Sequence, residues 1–190
     1  MTEIKIKETK CNVLLSTESV LSEVIFAKLC HGDRIVELVT GDEDVSSCDA
    51  LFTQNQILKL GIRTADCAPV CFSDGKNIGI AHVGWRGLCL GLVEKMLENF
   101  STKEVIIYVG PFLHMFEVQK DFCYDMIINK FGEKYFIIQD DKIFFSFRDA
   151  LAVLLPEKTI FDERNTGSDL NLPSYRRDKT KGRISTVISF

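Results

Sequence analysis

Along this chain short apolar runs alternate with polar breaks, and most runs are too short to be helices. Ile4-Lys5-Ile6-Lys7 alternates with a period of two and predicts an edge or lead-in strand; Asn12-Val13-Leu14-Leu15 predicts a second. Ser16-Thr17-Glu18-Ser19 offers helix-capping side chains ahead of an apolar-periodic stretch from Val20 to Phe26. Strands are then expected at Arg34–Val39, after the His31-Gly32-Asp33 corner, at Ala50–Thr53 and at Leu58–Thr64. Val70-Cys71-Phe72 and Asn77–His82 read as strands on either side of an Asp74-Gly75 turn.

Helical spacing appears later. Leu88, Leu92, Met96 and Leu97 fall near one face of a helix over Leu88–Phe100. Val118–Phe131 and Phe147–Leu155 fit two more, the last ending at Pro156. Glu104–Val109 reads as a buried strand running into Gly110-Pro111, and Ile184–Phe190 as a closing strand. Without repeats, low-complexity segments or a linker, the pattern predicts one α+β domain over residues 1–190, a mixed β-sheet with about three helices.

Composition narrows the class. Hydrophobic residues at 46% and charged residues at 26% describe a globular core, and fourteen Phe predict that large apolar rings fill it. The net charge of −4 is spread over interspersed signs, so no basic face for nucleic acid is expected. The N-terminus is charged every second or third residue, unlike a signal peptide, and no apolar run reaches the roughly 20 residues a membrane span needs. Seven scattered cysteines, an odd number, suit a reducing compartment, and cytoplasm is the expected location.

The chain has three histidines, and two sit where a strand meets glycine, at His31-Gly32 and His82-Val83-Gly84. Such junctions present side chains to a cleft while the backbone stays close. Cys67 lies between Asp66 and Ala68-Pro69 at the junction of two apolar strands. Two imidazoles and one thiolate make a three-ligand set that leaves a fourth tetrahedral position open, the mark of catalytic rather than structural zinc. Thiolate and imidazole suit zinc or copper better than magnesium or calcium. The same residues also have an ordinary reading, as a buried thiol and two histidines satisfying backbone carbonyls. Asp66 is either an acceptor for a ligand imidazole or a turn-capping carboxylate. Arg86, at the start of a helix behind His82, is either an anion ligand or a solvated arginine. Cys71 reads as a buried structural thiol and His114 as a loop or surface histidine.

Two longer segments carry a resemblance. Thr64-Ala65-Asp66-Cys67-Ala68-Pro69-Val70 and Ala81-His82-Val83-Gly84-Trp85-Arg86-Gly87 resemble the paired TADCxPV and AHxGWRG motifs of the laccase-domain (YfiH-like) family. His31-Gly32, Gly110-Pro111 with Phe116-Glu117-Val118, and Ser174-Tyr175-Arg176-Arg177-Asp178 with Gly182-Arg183 resemble that family's other motifs, in family order over about residues 30–190. The resemblance implies an α+β fold, His31, Cys67 and His82 as both metal ligands and catalytic residues, and zinc as the metal, copper being the older assignment. It further implies phosphorolysis of adenosine, inosine and methylthioadenosine, and deamination of adenosine, with purine nucleoside and phosphate as partners. Tyr175, Arg176, Arg177 and Arg183 become candidates for a phosphate or ribose subsite, since arginine forks match phosphate, beside their plainer reading as a solvated charge run. The chain departs from the family at its N-terminus, which looks shortened, and at Asn165-Thr166, where a Cys-Thr pair is usual. Three other functions remain expected alternatives: a copper polyphenol oxidase, a metal-free hydrolase with Cys67 as nucleophile and His82 as base, and a binding domain without catalysis.

Overall fold

The computed structural model describes residues 2–6, 11–17, 23–101 and 103–190. In chain order its elements are β1 (Thr2–Ile6), β2 (Cys11–Ser16), β3 (Val24–Phe26), β4 (Ile35–Leu38), β5 (Ala50–Thr53), β6 (Lys59–Thr64), β7 (Ala68–Ser73) and β8 (Ile78–Val83). Helices α1 (Trp85–Cys89) and α2 (Leu92–Leu97) follow, then β9 (Ile106–Val109), β10 (Met115–Val118), α3 (Phe122–Phe131), β11 (Phe136–Gln139) and β12 (Lys142–Ser146). The chain closes with α4 (Phe147–Ala152), β13 (Ile160–Phe161), α5 (Tyr175–Asp178) and β14 (Ile184–Ser189). The fold is α+β, as expected.

Two mixed sheets, ordered β1-β2-β14-β6-β3 and β13-β9-β7-β8-β5-β4, stack face to face. Strands β7, β8 and β9 lie in the middle layer and are buried on both faces, which is why they read as unbroken apolar runs. Their alternate residues serve different cores. Val70, Phe72, Ala81, Val83, Ile107 and Val109 turn toward the helices, while Cys71, Ile78, Ile80, Ile106 and Tyr108 turn toward the five-stranded sheet. The helical side is closed by α1–α4 and a small sheet ordered β10-β12-β11. Phe112, Phe116, Phe145 and Phe147 meet there with ring centroids 5.6–6.2 Å apart. No helix among the described residues is long and apolar enough to cross a membrane.

The differences from the sequence pattern have physical causes. The helix expected from Val20 to Phe26 lies partly outside the described residues; its end is strand β3, parallel to β6. Gly61 of β6 makes this possible, because a Cβ there would come within 2.7 Å of Val24 and Phe26. The expected helix over Leu88–Phe100 is two, broken where Gly91 takes a left-handed φ of 83°. The helix expected from Val118 begins only at Phe122, capped by Asp121, which accepts from the Cys123 and Tyr124 N–H groups. Val118 belongs instead to β10. The hairpin β11–β12 turns at Asp140 and Asp141, both at positive φ, without the Asn-Gly or Asp-Gly signal such turns usually carry.

Gly79 of β8 lies where α2 presses on the middle sheet. A Cβ there would sit 2.8 Å from Met96 Cε and from Phe100 Cζ and 3.2 Å from the Leu51 carbonyl oxygen. Gly79→Ala is therefore expected to lower stability by about 1–3 kcal/mol, measured as the midpoint shift in urea unfolding. An unchanged midpoint would mean that α2 is free to move away from the sheet.

Candidate metal centre

Three segments distant in sequence meet at one end of the stacked sheets. His31 follows β3 at a left-handed φ of 60°, Cys67 precedes β7, and His82 is on β8 opposite Pro69. One carboxylate holds the arrangement. Asp49, fully buried just before β5, accepts the backbone N–H of His31 at 2.9 Å (Oδ1) and of Gly32 at 2.7 Å (Oδ2). The Cys30 thiol donates to Oδ2 at 3.0 Å. On the other side, His82 Nδ1 lies 2.8 Å from Asp49 Oδ1, and the His82 N–H donates to the Asp49 carbonyl at 2.7 Å. Asp49 thus sets the His31 loop and, by taking Nδ1, leaves His82 Nε2 for a ligand.

Close approach of the chain completes the site. A Cβ at Gly84 would lie 3.2 Å from Cys67 Sγ and 3.6 Å from His31 Cδ2, so glycine lets α1 begin immediately behind the three side chains. The His31 and His82 rings meet edge to face with centroids 4.8 Å apart. One ligand atom from each of His31, Cys67 and His82 lies within 4.8 Å of the others. Ligand atoms on a tetrahedral zinc are about 3.3–3.6 Å apart, from bond lengths near 2.0–2.3 Å. The set would fit such an ion after an inward movement; of the three, His31 is exposed, Cys67 half-buried and His82 buried.

The electrostatics favour a cation. Burial would raise the Cys67 thiol, but hydrogen bonding to His31 and His82 and their charge pull it down to about 7. Burial alone would lower His82, but Asp49 and Cys67 outweigh it and raise the imidazole to about 9. Burial likewise opposes ionisation of Asp49, yet His82, Cys30 and the Gly32 N–H hold it well below the usual carboxylate range. Asp49 is thereby favoured as a carboxylate and Cys67 is moved toward its thiolate, beside a proton on His82 that a divalent cation would displace.

The three residues open on a cleft of about 770 Å³ whose lining includes Thr64, Trp85, Tyr175, Arg176 and Arg183. Arg63 and Lys179 also line it and escaped sequence reasoning, as did Asp49. The only signal for Asp49 was an acidic residue at the mouth of an apolar strand, with nothing to say what it would meet. Asp66 is not the imidazole acceptor. Its carboxylate accepts from Thr166 Oγ1 at 2.8 Å and from the Arg176 N–H at 2.7 Å, pinning α5 across the cleft. Its φ of 87° turns the side chain toward the tail. Arg177 is not free for phosphate: its guanidinium donates to the carbonyls of Thr166, Asp169 and Leu172 and pairs with Asp178. Arg86 stacks beside Trp85, 5.3 Å from the ring centroid, and does not line the cleft. Cys71 is fully buried between the sheets, its thiol pushed far up by burial and then by Cys11. His114 packs on the Phe112 ring away from the site.

In metal-free protein, Cys67 is expected to become reactive toward iodoacetamide as pH rises through about 7, because the thiolate is the nucleophile. Cys30, exposed but raised by its hydrogen bond to Asp49, should label only at more alkaline pH, and Cys71 not until unfolding. Site-resolved mass spectrometry across pH checks this. A Cys67 midpoint equal to that of an ordinary thiol would contradict the coupling to the two histidines.

Comparison with known proteins follows the same lines. A family model described as multi-copper polyphenol oxidoreductase laccase matches residues 5–190, beginning well ahead of the His31-Gly32 corner. The chain is 30% identical over 167 residues to a purine nucleoside phosphorylase of Aquifex aeolicus (strain VF5), covering 83% of this chain and 78% of that one. It is 30% identical over 188 residues to the purine nucleoside phosphorylase YfiH of Escherichia coli (strain K12), covering 92% and 77%. A crystal structure of the Bacillus licheniformis hypothetical protein YfiH matches with a TM-score of 0.77 at 26% identity, over 88% of this chain and 74% of that one. The chain therefore belongs to the YfiH-like, laccase-domain family.

Proposed function

We propose that this protein is a zinc-dependent purine nucleoside phosphorylase, acting on adenosine, inosine and methylthioadenosine and able to deaminate adenosine at the same site. The observation that carries the reading is the His31–Cys67–His82 group, held by Asp49, at the floor of a cleft rimmed by Arg63, Arg176, Lys179 and Arg183. Relatives named purine nucleoside phosphorylase supply the substrate class.

In phosphorolysis a phosphate oxygen bonds to C1′ of the ribose, the bond from C1′ to the base breaks, and the base leaves with the electron pair. His31, Cys67 and His82 would hold a zinc ion, which would supply Lewis acidity at that end of the cleft. The chain does the rest by placement. Arg176 is held twice, its N–H by Asp66 and its guanidinium by the Glu117 carbonyl at 3.2 Å, with the Phe116 ring 4.2 Å away. The planar guanidinium has further donors of the kind that match phosphate oxygens. Leu29, Trp85 and Tyr175 give the cleft the apolar and aromatic surface a purine needs.

Copper chemistry of the kind that reduces oxygen at a multinuclear cluster needs many histidines; this chain has three, and His114 lies apart from the other two. A metal-free Cys–His hydrolase is the second reading, favoured by one observation. Asp49, His82 and Cys67 form an orienter–base–nucleophile series with a 2.8 Å Asp–His contact. It leaves His31 without a part, and the metal reading does not.

The test is release of free base from inosine as phosphate is varied, with zinc measured in the same protein. The expected outcome is about one zinc per chain, phosphate-dependent release, and loss of both on Cys67→Ala. Arg176→Ala is expected to weaken phosphate binding by about 1.5–3 kcal/mol, raising the phosphate requirement roughly ten- to a hundred-fold, while sparing adenosine deamination. Base release without phosphate would turn the reading to hydrolysis. Activity that survives removal of zinc would turn it to the Cys–His enzyme.

A further inference from the structure

Thr64, the last residue of β6, is 2% exposed, and its hydroxyl is buried with no hydrogen-bond partner among the described residues. A buried unpaired hydroxyl carries a desolvation cost that a methyl group of the same shape would not. Thr64 is one of the residues lining the cleft that the three candidate ligands also line. Cys67 lies three residues further along, beyond the kink at Asp66.

Strand register gives its surroundings. Thr64 pairs opposite Ile184 of β14, so it shares the inter-sheet face with Ile62, Ile184 and Thr186. His82 alternates with Ile80 and Ile78 on the facing surface of the middle sheet. Thr64 and His82 therefore border one inter-sheet layer from its two sides, at the end where it opens as the cleft. Arg63 precedes Thr64 in the chain, and Arg183 precedes its strand partner; both line the cleft.

We propose that the Thr64 hydroxyl binds the phosphate co-substrate, donating a hydrogen bond to one of its oxygens between the cationic rim and the His31–Cys67–His82 group. The inference rests on the phosphorylase reading and adds a residue to it. Phosphate offers only acceptors, and a hydroxyl donating to a charged oxygen away from water makes a short, strong bond. The neighbouring carboxylate, Asp66, is occupied on both oxygens by Thr166 and the Arg176 N–H, so it does not compete for the donor. The apolar and aromatic lining, Leu29, Trp85 and Tyr175, suits the nucleoside instead.

Thr186 supplies an internal control. Its hydroxyl is also buried and unpartnered among the described residues, on the same face, but it does not line the cleft. The experiment compares Thr64→Val, Thr64→Ser and Thr186→Val for unfolding midpoint, zinc content, and KM for inorganic phosphate and for inosine. Thr64→Val is expected to keep or raise the midpoint and to keep its zinc, yet raise the phosphate KM about ten-fold or more. Thr64→Ser should stay within a few-fold of wild type, and Thr186→Val should change stability alone. Three results overturn the proposal: an unchanged phosphate KM in Thr64→Val, a shift confined to the inosine KM, or loss of fold or zinc in that variant. If wild-type base release ignores phosphate, the phosphorylase reading fails and takes the proposal with it. If wild type depends on phosphate and Thr64→Val does so equally, the proposal alone fails.

Discussion

The site depends on one buried charge. Asp49 keeps its carboxylate ionised out of reach of water because His82, the Cys30 thiol and the N–H groups of His31 and Gly32 all converge on it. Each of those groups is placed in turn by the carboxylate. The left-handed turn at His31 exists where three successive residues can donate to Asp49, and the His82 ring is held with one nitrogen spoken for. Removing the charge would leave three backbone N–H groups, the Cys30 thiol and an imidazole without their acceptor, a cost of several hydrogen bonds at once.

Around that point the fold works by close approach. The middle sheet is apolar on both faces, which lets β8 carry a histidine at its end without water reaching the strand behind it. Gly84 brings the start of α1 against Cys67, and a Cβ at Gly87 would meet the Gly32 carbonyl oxygen at 2.9 Å. The other wall of the cleft comes from the tail, where Asp66 binds the first turn of α5 and Arg177 ties that turn to the loop before it. Residues more than a hundred positions apart thus form one surface, lined by Arg63, Arg176, Lys179 and Arg183 together with Cys67, His31 and His82.

Much of this was legible in the chain. His31, Cys67 and His82 were candidates from their places at strand ends, but local signals left an ordinary reading open, and the resemblance of the flanking motifs singled them out. The strands of the middle sheet were readable from their apolar runs. Asp49 was not, since its meaning lies wholly in partners 17–33 residues away. Asp66 and Arg177 were read as site residues because their types suit such roles, but tertiary bonds to the tail claim both. Arg63 and Lys179 were missed for the opposite reason: nothing local distinguishes a cleft-lining residue from a solvated one, whereas Trp85 stood in a quoted motif without being given a role. The β11–β12 hairpin was hidden by a turn without glycine, and the break at Gly91 by an apolar spacing that runs straight through it.

The central claim is that Asp49 assembles one thiolate and two imidazoles around a single metal position. X-ray absorption at the zinc edge of the purified protein tests it most directly. The account predicts one sulfur at about 2.3 Å and two imidazole nitrogens at about 2.0–2.1 Å, with the sulfur lost in Cys67→Ser. A shell of oxygen and nitrogen alone, or one with two sulfurs that brings in Cys30, would contradict it.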